Sequence, residues 1–146
     1  MKGIFNTNSE SFSLFITRVV LGVVILPHGL QKVFGLFGGY GYSATVGFFE
    51  SMGIPSIIAI LIILAESAGA IGLIAGFLSR FCAFGLAIVM LGAMFLVHLP
   101  NGFFMNWTGN QKGEGIEYHI LVIGLALVVL IGGSGRWSID SIFSDN

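Results

Sequence analysis

Four long apolar stretches run through this chain, and a glutamate, Glu66, stands in the middle of the second. Residues 57–65 are almost purely aliphatic and residues 68–78 resume the run. A segment of that length crosses a bilayer and holds Glu66 near its centre. A charged side chain there costs roughly 2.5–3.5 kcal/mol on insertion scales. Such residues face a bundle interior, a partner or a water-filled cavity, and they point by default to a functional site. The fold expected is therefore all-α, and the residue that pairs with Glu66 is the first to be found.

The apolar excess is spread over the whole length. Of the 146 residues 55% are hydrophobic and 9% charged, against about 25% charged in soluble domains, so a single membrane domain is expected over residues 1–146. The formal net charge of −1 argues against a nucleic-acid partner. One cysteine, Cys82, excludes an internal disulfide and any CxxC relay; it reads as a small apolar helix residue. The first dozen residues are polar and no small-residue cleavage site follows the first apolar run, so that run reads as a retained span rather than a signal peptide.

Spans are expected at about 12–34, 56–78, 81–99 and 117–131, making a membrane four-helix bundle. Gly35, Gly38, Gly39 and Gly41 break the chain after the first. Residues 43–52 read as a short interfacial helix, with Ser43 as its cap and Val46, Phe49 and Met52 on one apolar face. Gly72-x-x-x-Gly76 and Ala65-x-x-x-Gly69 suit close helix packing. Residues 101–116 form the longest polar loop, with Phe103, Phe104 and Trp107 fitted to the membrane surface. Four spans put both termini on one side. That side carries Lys2, Arg18, Arg80 and Arg136 against Lys32 and Lys112 opposite, which favours cytoplasmic termini.

Counted by helical rise from the outer ends, Lys32 lies roughly 6 Å deep, His28 roughly 12 Å and Glu66 roughly 15–18 Å. His98, Glu117 and His119 fall within about two turns of the same surface. His28 and Lys32 are four apart and share a face. His28 suits proton transfer or a hydrogen bond to a carbonyl, and Lys32 suits a carboxylate; a core histidine and a snorkelling lysine are the plainer readings. Glu66 has three: an ion pair with Lys32 or Arg18, a proton-accepting or ligand-binding carboxylate, or a protonated, hydrogen-bonded acid, since burial disfavours the charged form. Arg18 reads as a helix-end anchor near the headgroups. Glu117, in the first turn of its helix, also suits the helix dipole. No H-x₃-H or Glu-x-x-His spacing is present, so no metal is expected. Glycines 132, 133 and 135 end the fourth span, with Trp137 at the interface and Arg136 with Asp140 locking the end.

The ordered set Arg18…Gly22, His28-Gly29-x-x-Lys32, Phe48-Phe49-Glu50-Ser51-Met52-Gly53-Ile54-Pro55, Glu66 with Gly69 and Gly72, Gly76-Phe77-Leu78-Ser79-Arg80, Gly102-Phe103-Phe104, Gly115-Ile116-Glu117 and Gly135-Arg136-Trp137-Ser138-Ile139-Asp140 resembles the DoxX family. The resemblance covers nearly the whole chain. It implies a small four-helix protein of the bacterial inner membrane, linked to sulfur, thiol, oxidant-stress or quinone redox; a related DoxD-type subunit belongs to a thiosulfate:quinone oxidoreductase. No haem, flavin or metal motif is recognisable.

Three functions follow as expectations. The first is a membrane subunit of a quinone-linked redox system, with a soluble oxidoreductase partner as electron donor. His28, Lys32 and His119 then hydrogen-bond the quinone, Glu66 or Glu117 handles protons, and His98 lines the same outer half; His28 and Glu66 are the candidate catalytic residues. The second is a scaffold or assembly factor whose buried charges are structural. The third is a small-solute or proton-coupled transporter, which requires a homo-oligomer because four helices leave a narrow pathway.

Overall fold

A computed structural model describes residues 2–144. Every regular element among them is helical, and none is a strand. A short helix α1 (Lys2–Phe5) precedes α2 (Phe12–Phe34). Ser11 caps α2, its hydroxyl accepting from the Leu14 N–H at 3.3 Å, and Gly35 ends it in the left-handed conformation (φ 72°), where glycine carries no Cβ penalty. The glycine-rich segment then folds back on the last turn of α2. The amides of Gly35 and Gly41 both donate to the Gln31 carbonyl, at 3.1 and 3.2 Å, and a side chain at Gly39 would run into the Gln31 backbone.

Helix α3 (Tyr42–Ser51) follows. Its N-cap is Gly41, with no side-chain cap, so Ser43 lies inside the helix rather than capping it. The second apolar stretch forms α4 (Ser56–Glu66) and α5 (Ala68–Ala75). Ser67 interrupts it with ψ −78°, its amide and hydroxyl both donating to the Ile63 carbonyl at 3.0 and 2.6 Å. Gly76 in the left-handed region stops α5, so this helix is three residues shorter than the expected 56–78. Helix α6 (Ser79–Ala93) starts two residues before the expected 81, and helical turns Met94–His98, wound as a π-helix, and Leu99–Asn101 continue it. Helix α7 (Glu117–Gly132) and a short α8 (Asp140–Phe143) complete the chain.

By length and composition three of these runs can cross a membrane: Phe12–Phe34, Ser56–Ala75 and Ser79–Asn101; Glu117–Gly132 is shorter but apolar. The four pack on one another, most closely α6 on α7 and α2 on α5. Leu21 and Ile25 of α2, Leu73 of α5, Leu86 and Met90 of α6 and Val122 of α7 meet in the core. The outward faces are apolar too, with Val23, Leu61, Phe84, Ile88, Leu121 and Ile131 exposed. Water does not favour so much exposed hydrocarbon, and lipid does.

One end of the molecule is tied by a single side chain. Arg18 is fully buried. Its Nε donates to the Ser134 carbonyl at 2.7 Å, Nη1 to Leu73 and Ile74 at 2.9 and 2.5 Å, and Nη2 to Arg136 and Trp137 at 3.2 and 2.6 Å. A guanidinium has five N–H donors, and five carbonyls receive them. Arg18 is thus not a headgroup anchor: it joins α2 to the end of α5 and to the tail. Asp140 does lock the tail, but not through Arg136. Its carboxylate accepts from the amides of Leu78 and Ser79 at 2.7 and 2.9 Å and from the Ser134 hydroxyl, capping α6 from a distant part of the chain. Arg136 lies over the Trp137 ring, 4.9 Å from its centroid. Both terminal segments meet at this end, where the Arg136 amide donates to Ser11 and the Gly135 amide to the Thr7 hydroxyl. The side chain of Lys2, counted with the cations of this end, lies outside the described residues.

Arg18→Lys offers three N–H donors in place of five. Two buried carbonyls then lose their partners, at roughly 1–3 kcal/mol each. Thermal unfolding of the detergent-solubilised variant is expected to fall by several degrees; an unchanged transition would show that the five bonds carry no stability.

Candidate functional site

At the other end of α2 the backbone comes close to the second apolar stretch. A Cβ on Gly29 would lie 2.6 Å from the Glu66 carbonyl carbon and 2.7 Å from the Ser67 Cα. Gly22, two turns earlier, meets the Ala70 carbonyl in the same way at 2.7 Å. These two glycines let α2 lie against the backbone of the α4–α5 run. Lys32, one turn beyond Gly29, then reaches Glu66, and the Lys32 ammonium and Glu66 carboxylate form an ion pair. The Glu66 side chain is 7% exposed and that of Lys32 23%. Of the two cations considered for Glu66, Lys32 is its partner, while Arg18 is taken up at the far end.

His28 and Tyr118 stand beside this pair. The Tyr118 hydroxyl and His28 Nε2 are 3.5 Å apart, with ring centroids at 6.0 Å. Tyr118 meets His119 edge-on at 5.5 Å, and His119 meets His98 at 4.2 Å. His98 Nδ1 lies 2.8 Å from the Glu114 carbonyl in the loop before α7. His119 is buried, and its Nδ1 has no hydrogen-bond partner among the described residues. The π-helical winding of Met94–His98 belongs to this arrangement, since π turns recur at functional sites and this one carries His98.

Five of the six candidates, Lys32, Glu66, His28, His119 and His98, thus form one run of neighbours. Glu117 stands apart from it. Its carboxylate accepts from the Met105 amide at 3.0 Å and the Trp107 indole at 2.9 Å, so it holds the loop. The Gly102-Phe103-Phe104 and Gly115-Ile116-Glu117 motifs pair with each other: the amides of Gly115, Ile116 and Glu117 donate to Phe104, Gly102 and Phe103 at 3.2, 3.1 and 2.9 Å. That pairing satisfies donors that the first turn of α7 would otherwise leave open. Tyr118 was not among the sequence candidates. A tyrosine in the first turn of a span reads as an interface aromatic, and only its closeness to His28, ninety residues away, reveals another role. Among the described residues no group of three or more His, Cys, Asp or Glu side chains is placed to hold a metal ion.

The arrangement can do three things chemically. Lys32 and Glu66 hold opposite charges together out of water. His28 and Tyr118 offer a proton-exchanging pair next to them. His119 offers an unused ring nitrogen to a ligand or a water.

Two outcomes are expected. Lys32→Met leaves an unpaired buried carboxylate, and breaking a buried pair costs roughly 3–5 kcal/mol; Lys32→Met with Glu66→Gln should recover most of that loss in chemical unfolding. Gly29→Ala should lower the unfolding temperature strongly, because backbone rather than side chain must give way. Gly85→Ala, where nothing lies within 4 Å, should be neutral and serves as the control.

Comparison with known proteins bears on the same motifs. The DoxX family model matches residues 13–99, which hold the first Arg18-to-Lys32 segment, Glu66 and His98. The chain is 26% identical over 135 residues to "Inner membrane protein YqjF" of Escherichia coli (strain K12), covering 92% of this chain and 95% of that one. It is 31% identical over 123 residues to "Putative oxidoreductase CatD" of Bacillus subtilis (strain 168), covering 83% and 82%. No solved structure matches. With its apolar helices and a family match over more than half its length, this chain is a membrane protein that belongs to the DoxX family.

Proposed function

We propose that this chain is a multi-pass subunit of the bacterial inner membrane serving a quinone-linked redox system of sulfur, thiol or oxidant-stress metabolism. In this reading α2, α4–α5, α6 and α7 form a transmembrane four-helix bundle, α3 lies in the interface, and both termini are cytoplasmic. Several observations support it. At 1.5 Å per residue the 23 residues of α2 cover about 34 Å, enough for a ~30 Å hydrocarbon core. The terminal segments share one end, where Arg80 donates to the carbonyls of Asn6 and Leu130. One similar protein bears an inner-membrane name and another an oxidoreductase name.

The observation that carries the redox reading is the buried Lys32–Glu66 pair flanked by His28, Tyr118 and the unpartnered His119 Nδ1. The donor set fits a quinone head, which needs hydrogen bonds to two carbonyl oxygens in a largely apolar pocket. Lys32, His28 and Tyr118 would hold one oxygen and His119 the other. A bound quinone would supply two-electron acceptance. Glu66, paired with Lys32, would take up or release a proton at its carboxylate, and His28 would exchange that proton with the Tyr118 hydroxyl. Electrons would come from a separate soluble oxidoreductase.

The test is a lipid and small-molecule analysis of gently purified protein, with wild type beside His28→Ala and Glu66→Gln. Stoichiometric quinone in wild type, lost in both variants, is expected. Absence of quinone from all three, with equal folding and stability, would overturn the reading in favour of a scaffold whose buried charges are structural. If Glu66 handles protons, Glu66→Gln should keep its fold yet abolish quinone-dependent turnover.

A further inference from the structure

A cleft of about 250 Å³ lies between the end of α2, the glycine-rich turn and α3. Gln31, Lys32, Tyr40, Thr45, Phe48 and Phe49 line it, with the backbone of Gly38 and Gly39. Its lining includes one cation and no acid. Thr45 is only 7% exposed and lines the cleft. A threonine hydroxyl on that wall can donate to an acceptor in the cleft. Gln31 is occupied, its amide donating to the Phe37 carbonyl at 3.1 Å. Phe48 and Tyr40 are largely exposed at the mouth, so an apolar body can leave the cleft along their rings toward lipid. The volume is below that of most drug-sized sites, about 300–1,000 Å³, and admits a head rather than a whole lipid.

Lys32 belongs both to this cleft and to the buried ion pair. Glu66 does not line the cleft, so an occupant touches the lysine without touching the carboxylate. We propose that the cleft binds the anionic head of an amphiphile, a carboxylate or phosphate on an apolar body, and that Lys32 couples its arrival to protonation of Glu66. The balance is simple. Lys32 and Glu66 together are neutral; a bound monoanion adds one negative charge beside a single cation. The carboxylate then takes one proton from solvent, and the three groups return to neutrality, which a low-dielectric site favours. No redox step is involved, so the inference stands independently of a quinone.

The groups around Glu66 are Lys32 and His28 from α2 and Tyr118 from α7, with His119 and His98 beyond. Helix α5 carries no titratable side chain, and Arg80 and Cys82 of α6 lie near the opposite end of the bundle. On α3, Glu50 accepts from the Ser56 hydroxyl. Among these, Lys32 alone is a fixed cation reachable from the cleft, so the coupling runs through it.

The probe is decanoate, titrated calorimetrically at neutral pH into the whole protein in phosphatidylcholine discs, with empty discs subtracted and two buffers of different ionisation enthalpy. The expected result is saturable binding with about one proton taken up per decanoate. Glu66→Gln should bind with no proton uptake. Lys32→Met should weaken binding by more than about tenfold, the loss of a hydrogen bond to a charged group. Thr45→Val, a nearly isosteric change that should leave folding intact, should weaken it by a few-fold. Equal binding by wild type, Lys32→Met and Thr45→Val would overturn the proposal, as would proton uptake that persists in Glu66→Gln. Discs containing phosphatidylglycerol separate the two sources: competition with decanoate assigns the cleft to a lipid headgroup, and undiminished binding assigns it to a free acid.

Discussion

In an apolar surrounding each polar atom must find its partner within the chain. The architecture follows from how this molecule meets that constraint at two points on one helix. Near the start of α2, Arg18 spends all five N–H groups on carbonyls of two separate segments, the end of α5 and the tail. Near its end, Lys32 neutralises Glu66. The first site is saturated and the second is not. That difference separates a structural use of buried charge from a chemical one.

Unused capacity gathers around Glu66. An ammonium with three donors gives one of them to Glu66, a tyrosine and a histidine meet at the edge of hydrogen-bond distance, and a histidine nitrogen has no partner among the described residues. Gly29 makes this possible by allowing two backbones to touch, which places Lys32 within reach of a carboxylate on another helix. A larger residue there would move the pair apart. The His28-Gly29-x-x-Lys32 motif is therefore one device: the glycine sets the distance and its neighbours occupy it.

Much of this was legible from residues alone. The first span was read to its terminal residues because Ser11, Gly35 and unbroken hydropathy all mark its bounds. The residues alone name Lys32 as one of two cations open to Glu66, with Arg18 the other, and the ion pair is with Lys32. What escaped shares a cause: backbone carbonyls and amides carry no residue identity. Arg18 looked like a surface anchor because its partners are carbonyls up to 119 residues away. The start of α6 was read too late because its cap, Asp140, comes from the tail. Glu117 looked like a site residue because nothing in its neighbourhood announces that a loop tryptophan and an amide will take up its carboxylate. Tyr118 was passed over for the converse reason, since the chain offers a common role for a tyrosine at that depth.

The Arg18 tie also imposes an order on biosynthesis. Three of its five acceptors, the carbonyls of Ser134, Arg136 and Trp137, are translated after all four apolar helices. While the earlier helices enter the bilayer, that guanidinium stays incompletely solvated by protein and must keep to water or headgroups. The first long helix thus completes its hydrogen bonds only after the segment beyond α7 is made. A molecule cut short before residue 134 would lack three of the five carbonyls that receive that guanidinium.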